Sequence, residues 1–224
     1  MSIGNIRNIG NIGAESPGTR NSVPEAGAGD LFDGYPAAPE DALRRLRGRL
    51  ADRADADGVL DVAYRTVDTP VGTLLLAATP AGLVRVAYPT EGHDRVLAAL
   101  AARISPRILN APKRLDLAAR ELEEYFAGAR RSFDLPLDLS LSTGFRRIVL
   151  VRLTGIAYGQ TASYAAVAAA AGSPRAVRAV GTACATNPLP VVVPCHRVVR
   201  SDGSVGGYLG GPAVKRALLR LEAA

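Results

Sequence analysis

The sequence predicts a two-domain α+β protein. A small antiparallel sheet with helices comes first, and a mostly helical part containing a helix-turn-helix follows. Three observations lead there. Strand-length apolar runs are confined to residues 59–88, helical periodicity dominates the rest, and a short Gly-containing turn near residue 172 joins two helical stretches.

Residues 1–38 are rich in Gly, Asn, Ser and Pro, with a loose Gly-Asn-Ile repeat and no hydrophobic period. They predict a disordered or weakly ordered tail. Leu43, Leu46 and Leu50 recur at three and four residues and predict a helix over Pro39–Ala56. Val59–Val67, Gly72–Ala78 and Leu83–Tyr88 read as strands, with Thr69-Pro70 and Thr79-Pro80-Ala81-Gly82 as the turns between them. Such a run implies an antiparallel meander. Helices over Asp94–Ile104 and Ala111–Ala127 complete an N-terminal domain of residues 39–137.

A hinge over Phe133–Leu141, containing Pro136, leads into a C-terminal domain of residues 142–224. Its first predicted helix is Thr143–Thr154. A second spans Ser163–Ala171 with Ser163 as N-cap. The third starts with Pro174 at its first position and runs to about Thr186. Asn187-Pro188 stops it, because the residue before a proline avoids helical geometry. Val191–Val193 and Val198–Arg200 are expected as extended runs, Asp202-Gly203 as a turn, and Pro212–Leu221 as the last helix.

Charge is unevenly spread. The net charge is +6, yet from Ser142 onward ten basic residues face only Asp202 and Glu222. A half so basic fits a polyanionic partner, against the plainer reading of a solvated surface. No apolar run approaches the 18 residues of a membrane span, and the N-terminus lacks the apolar core of a secretory signal. Cys184 and Cys195 are the only cysteines and sit in unlike contexts, which predicts neither a disulfide framework nor a zinc site. Cys184, in an Ala/Gly/Thr-rich helix, reads as inert packing. A reducing cytoplasm is the expected home for a chain that must keep a thiol.

The chemistry-bearing stretch is Pro194-Cys195-His196-Arg197, between two valine runs. A thiol is a useful nucleophile as thiolate, and a neighbouring imidazole or cation favours that form. The plain alternative is a structural cysteine beside a chance histidine. The predicted third helix carries one long polar residue, Arg178, among Gly, Ala and Thr. An ordinary helix is about 10–12 Å across, whereas the minor groove is about 6 Å wide. A helix of small residues suits close approach to a widened minor groove; a packed Ala-rich core helix is the alternative.

The run Asn187–Val199, with Tyr158-Gly159-Gln160-Thr161-Ala162-Ser163-Tyr164 and Arg178-Ala179-Val180-Gly181 before it, closely resembles the O6-alkylguanine-DNA alkyltransferases. The resemblance continues through Ser201-Asp202-Gly203, Gly207-Tyr208-Leu209-Gly210-Gly211, Lys215 and the closing Leu-Leu-Arg-Leu-Glu. It is close over about the last 80 residues and loose over the middle of the chain. It implies a ribonuclease H-like N-terminal domain and a winged-helix-like C-terminal one. It also implies stoichiometric, irreversible transfer of an alkyl group from flipped O6-alkylguanine to Cys195, without cofactor or metal. O4-alkylthymine is a further substrate it leaves open. His196 would take the thiol proton directly or through water, Glu222 would fix the imidazole, Asn187 would hold the turn before the loop, and Tyr164 would serve the leaving base. Val198, Tyr208, Leu209, Gly210 and Lys215 would form the base site. Arg178, Ala179, Gly181, Thr182, Ala185 and Arg197 would meet double-stranded DNA in the minor groove, with Arg178 filling the gap left by the flipped nucleotide. The protein would act as a monomer.

The chain departs from the family pattern at Leu150, where tryptophan is usual, at Ala185, where a base is common, and at Leu209, where serine or alanine is common. Some relatives bind zinc through N-terminal cysteines and histidines; here only His93 precedes Cys184, so no structural zinc is expected. Three other readings compete. A non-reacting binding relative lacks the cysteine, a transcription regulator adds a zinc-rich domain, and a cysteine protease takes its histidine from elsewhere in the fold.

Overall fold

A computed structural model describes residues 39–223, so the predicted tail over residues 1–38 lies outside the described residues. Helix α1 (Glu40–Ala56) has acids in its first turn and Arg53 in its last, matching the helix dipole. Its leucine stripe does not face the core: Leu46 and Leu50 are exposed, while Ala51 is buried. Ion pairs Lys113–Asp52, at 2.7 Å, and Arg114–Asp55 attach the alanine side instead, where small residues allow close packing.

The meander forms as β1 (Val62–Val67), β2 (Leu74–Thr79) and β3 (Gly82–Ala87), each neighbouring pair antiparallel. Strand β2 is buried on both faces. Its alternation sends Leu74, Leu76 and Ala78 into the larger core, and Leu75 and Ala77 against Val96 and Leu100 of α2 (His93–Arg103). A fourth strand, β4 (Ile108–Asn110), adds parallel to β1, giving the order β3-β2-β1-β4. Its three residues are too few to alternate legibly in sequence.

The expected helix at residue 111 is divided into a 3-10 turn, Pro112–Leu115, and α3 (Asp116–Phe126). The predicted hinge does not hang free. It lies along β3, where Leu83 N–H donates to the Pro136 carbonyl at 2.8 Å and Asp138 N–H to the Leu83 carbonyl at 2.9 Å. Gly82 has φ +139°, and a Cβ there would sit 2.3 Å from the Pro136 oxygen, so glycine is required at this crossing.

The second half comprises α4 (Gly144–Leu153), β5 (Ala162–Ser163), α5 (Tyr164–Ala170), α6 (Val177–Ala185), β6 (Val198–Val199) and α7 (Gly211–Glu222). Ser163 caps α5 as expected, its Oγ accepting from Ala166 N–H at 3.0 Å. Helix α6 starts later than expected. Gly172, at φ +75°, and Ser173 close α5 by donating to the carbonyls of Ala169 and Ala168, which leaves Pro174 in a turn before the helix. Leu150, at the position where tryptophan was expected, is fully buried on α4. One apolar core runs from Leu74 and Tyr125 to Val180, Cys195 and Leu218 without a break.

Candidate active site

Helix α6 ends where Asn187-Pro188 was expected to end it, and the next seven residues coil tightly. Val191–Val193 is a turn rather than an extended run. Val193 N–H donates to the Leu189 carbonyl at 2.7 Å, and Val191 takes φ +74°, a left-handed geometry that β-branched residues rarely adopt. Pro190 and Pro194 flank that turn and prevent a sheet ladder there. Asn187 holds the coil from inside: its Oδ1 accepts from Leu189 N–H at 2.9 Å, and its Nδ2 donates to the Val193 carbonyl at 2.9 Å. The same Nδ2 lies 3.1 Å from Sγ of Cys195, which begins a 3-10 turn ending at Arg197. The sulfur's hydrogen-bond partner is therefore Asn187 rather than the expected imidazole.

His196 is fully buried, with Nε2 2.7 Å from Oε1 of Glu222. Nδ1 is buried with no hydrogen-bond partner among the described residues. Because the carboxylate takes the Nε2 proton, Nδ1 is the basic nitrogen. Burial holds the imidazole below its ordinary pKa despite Glu222, so it is neutral near pH 7. Burial alone would raise the Glu222 pKa, but the hydrogen bonds from His196 and Arg197 win and set it at about 2.

Arg197 corrects a sequence expectation. It was expected on DNA, yet it is 6 % exposed and forks onto Glu222, with Nε 2.8 Å from Oε2 and Nη2 2.9 Å from Oε1. A bidentate carboxylate inside the protein outcompetes a phosphate outside it. Tyr125 of α3, which the sequence reading missed, donates its hydroxyl to Oε1 of Glu222 at 2.6 Å. Gly159 N–H reaches Oε2 at 3.2 Å. Only the meeting of residues 97 positions apart reveals Tyr125; in sequence it is one more core aromatic.

Lys215 is completely buried and donates to the carbonyl of Val198, the carbonyl role expected of it. Burial lowers its pKa, and its ammonium lies 5.9 Å from the ring centre of Tyr164. Tyr164 packs against Gly206, where a Cβ would fall 2.8 Å from the tyrosine hydroxyl. The Tyr208 hydroxyl pairs at 2.9 Å with that of Tyr88, a second residue the sequence did not single out, and Gly210 lies flat against the Tyr88 ring. Leu209, with Asn187 and Pro188, walls a cavity of about 440 Å³ that Cys195 does not line.

The sulfur is sealed, with Cys195 1 % exposed. Burial pushes its pKa up to about 11 despite the Asn187 hydrogen bond and the Lys215 charge. The thiol is protonated in this closed form. Cys184 is also buried and pushed up to about 12, which fits an inert packing thiol.

On α6, Arg178, Thr182 and Ala185 are exposed along one face, with Ala179 and Gly181 half-buried beside them. The hydroxyls of Thr182 and Thr186 bond back to the carbonyls of Arg178 and Thr182, at 3.2 and 2.8 Å. A Cβ on Gly181 would meet nothing within 4 Å. Nothing inside the protein demands glycine there.

Fold and site together define a protein with a helix-turn-helix whose second helix leads directly into a cysteine–histidine–glutamate cluster. Two family models match the chain. The ribonuclease-like domain of 6-O-methylguanine DNA methyltransferase covers residues 62–139, and its DNA-binding domain covers 144–224. A methylated-DNA–protein-cysteine methyltransferase of Methanosarcina barkeri is 39% identical over 71% of this chain and 96% of its own length. The constitutive enzyme of Bacillus subtilis is 37% identical over 71% and 94%. The crystal structure of Mycobacterium tuberculosis OGT in complex with DNA matches with a TM-score of 0.62 and 38% identity, covering 72% of this chain and 92% of that one. The chain belongs to the methylated-DNA–protein-cysteine methyltransferase family.

Proposed function

We propose that this protein repairs double-stranded DNA by taking an alkyl group from O6 of guanine onto Sγ of Cys195, once per molecule. The single observation that carries the reading is the polarised imidazole. His196 gives one nitrogen to Glu222 and keeps the other, buried and unengaged, on the turn that bears the thiol. A neutral imidazole in that state takes the thiol proton, directly or through one water, so that a pKa near 11 does not block reaction. The thiolate then attacks the alkyl carbon. An S–C bond forms as the C–O6 bond breaks, and guanine departs with a proton, for which the Tyr164 hydroxyl is the donor at ring N3. Carbonyls of Cys195 and Val198 and the N–H of Leu209 read the base.

The target atom is inaccessible inside a base stack, so the nucleotide must be extruded first. The sulfur must also be uncovered. The Ser201–Gly210 segment, whose outer residues are exposed and whose inner end carries Tyr208, is the part that gives way. On the DNA side, glycine in a helix interior costs about 1 kcal/mol relative to alanine. At Gly181 no internal contact offsets that, which supports an outside surface pressing close. The minor groove is that surface, with Arg178 entering the vacated stack. The protein acts as a monomer. No helix among the described residues is long and apolar enough to cross a membrane, and the buried free thiols fit a cytoplasmic setting.

The test is incubation with an O6-methylguanine duplex. One methyl per molecule, confined to the Cys195 peptide and absent from Cys195→Ser, is expected. Methyl on another residue, or repeated turnover, overturns the proposal.

A further inference from the structure

The exposed face of α6 runs from Arg178 through Thr182 to Ala185, and there it becomes one wall of the 440 Å³ cavity, formed by Ala185 and Thr186. The facing wall belongs to the other half of the protein: Arg85 on β3, and Arg95, Ala99 and Arg103 at four-residue spacing along one face of α2. Arg85 is spoken for, since it pairs with Glu91 and donates to the Asn187 carbonyl at 3.4 Å. Arg95 and Arg103 are exposed and touch only backbone carbonyls, those of Glu91 and Leu141. Among the described residues neither has a carboxylate partner. Beyond Arg178, the face of α6 offers no cation and no free hydroxyl.

We infer that Arg95 and Arg103 grip backbone phosphates of the DNA strand that passes the end of α6, so that the ribonuclease-like half takes part in holding the duplex. Eight residues of helix place the two guanidinium groups about 12 Å apart. A strand advances about 3.4 Å per nucleotide along the duplex axis. The pair therefore reaches phosphates about three to four nucleotides apart, and Ala99 between them leaves the groove open. Guanidinium forks suit phosphate oxygens in geometry and charge. The inference rests on the proposed function, because only a duplex seated on α6 is brought to this groove.

The test compares the full chain with the double variants Arg95→Ala/Arg103→Ala and Arg95→Lys/Arg103→Lys, binding undamaged duplex across a salt series. Two lost phosphate contacts reduce the slope of log affinity against log salt by about 1.8. Between 50 and 200 mM salt the wild type should then lose about tenfold more affinity than the alanine variant, and the lysine variant should keep the wild-type slope. Thermal unfolding of each variant establishes that it is folded. A folded alanine variant with the wild-type slope overturns the inference, as does a lysine variant that loses slope equally. Methylation of wild-type Cys195 is followed in the same preparations. Its absence overturns the proposed function and leaves the salt slope readable.

Discussion

Glu222 and the recognition face of α6 are opposites within one small domain. The carboxylate is surrounded by His196, Arg197, Tyr125 and the Gly159 N–H, and every one of its hydrogen bonds is made inside the protein. The α6 face is nearly bare: Arg178 stands alone, the threonine hydroxyls turn back on the helix, and Gly181 borders open space. Reactivity is thus pre-arranged by internal contacts, whereas recognition is left incomplete until DNA supplies the other side.

The largest effect should come from breaking the saturated side. Glu222→Gln leaves the buried Arg197 charge without its partner, which costs about 3–5 kcal/mol, read as a lower urea midpoint, and it releases the imidazole, read as slower transfer. The acid limb checks the cause. A carboxylate whose folded pKa is about 2 contributes stability that is complete above its ordinary value near 4.5 and is lost as pH falls toward 2. Stability of the wild type should therefore fall through that window, and that of the variant should fall less. A variant with an unchanged midpoint would mean that the network matters little.

Substitutions on the bare side should behave otherwise. Arg178→Ala should slow repair of duplex much more than reaction with free O6-methylguanine base, and equal losses on both would remove its assigned place in the stack. The smallest and sharpest effect belongs to Gly181→Ala. Alanine should raise helix stability by up to about 1 kcal/mol while weakening duplex binding. A variant that is more stable and binds equally well would show that no surface presses against α6.

The same contrast explains what the sequence made legible. Cys195, His196, Glu222 and Asn187 stand in ordered motifs, and the structure gathers them around one turn. The meander, the α5 cap and the stop of α6 follow from local rules of alternation, capping and proline. Long-range partners do not. A lone arginine in a basic half reads as a DNA contact until the fold places a carboxylate across from Arg197. Tyr125 and Tyr88 look like core aromatics until their hydroxyls are seen to reach Glu222 and Tyr208. A valine run reads as a strand, yet the prolines around Val191 turn it. The leucines of α1 show that periodicity identifies a helix without identifying which side its neighbours cover.

The closed packing around Sγ of Cys195 has a sequel for the spent molecule. A methyl retained on that atom is an extra carbon in an interior filled without it, and cores resist such insertions at about 1–3 kcal/mol. Each finished repair would leave behind an overfilled, loosened copy, marked as used by its own crowding.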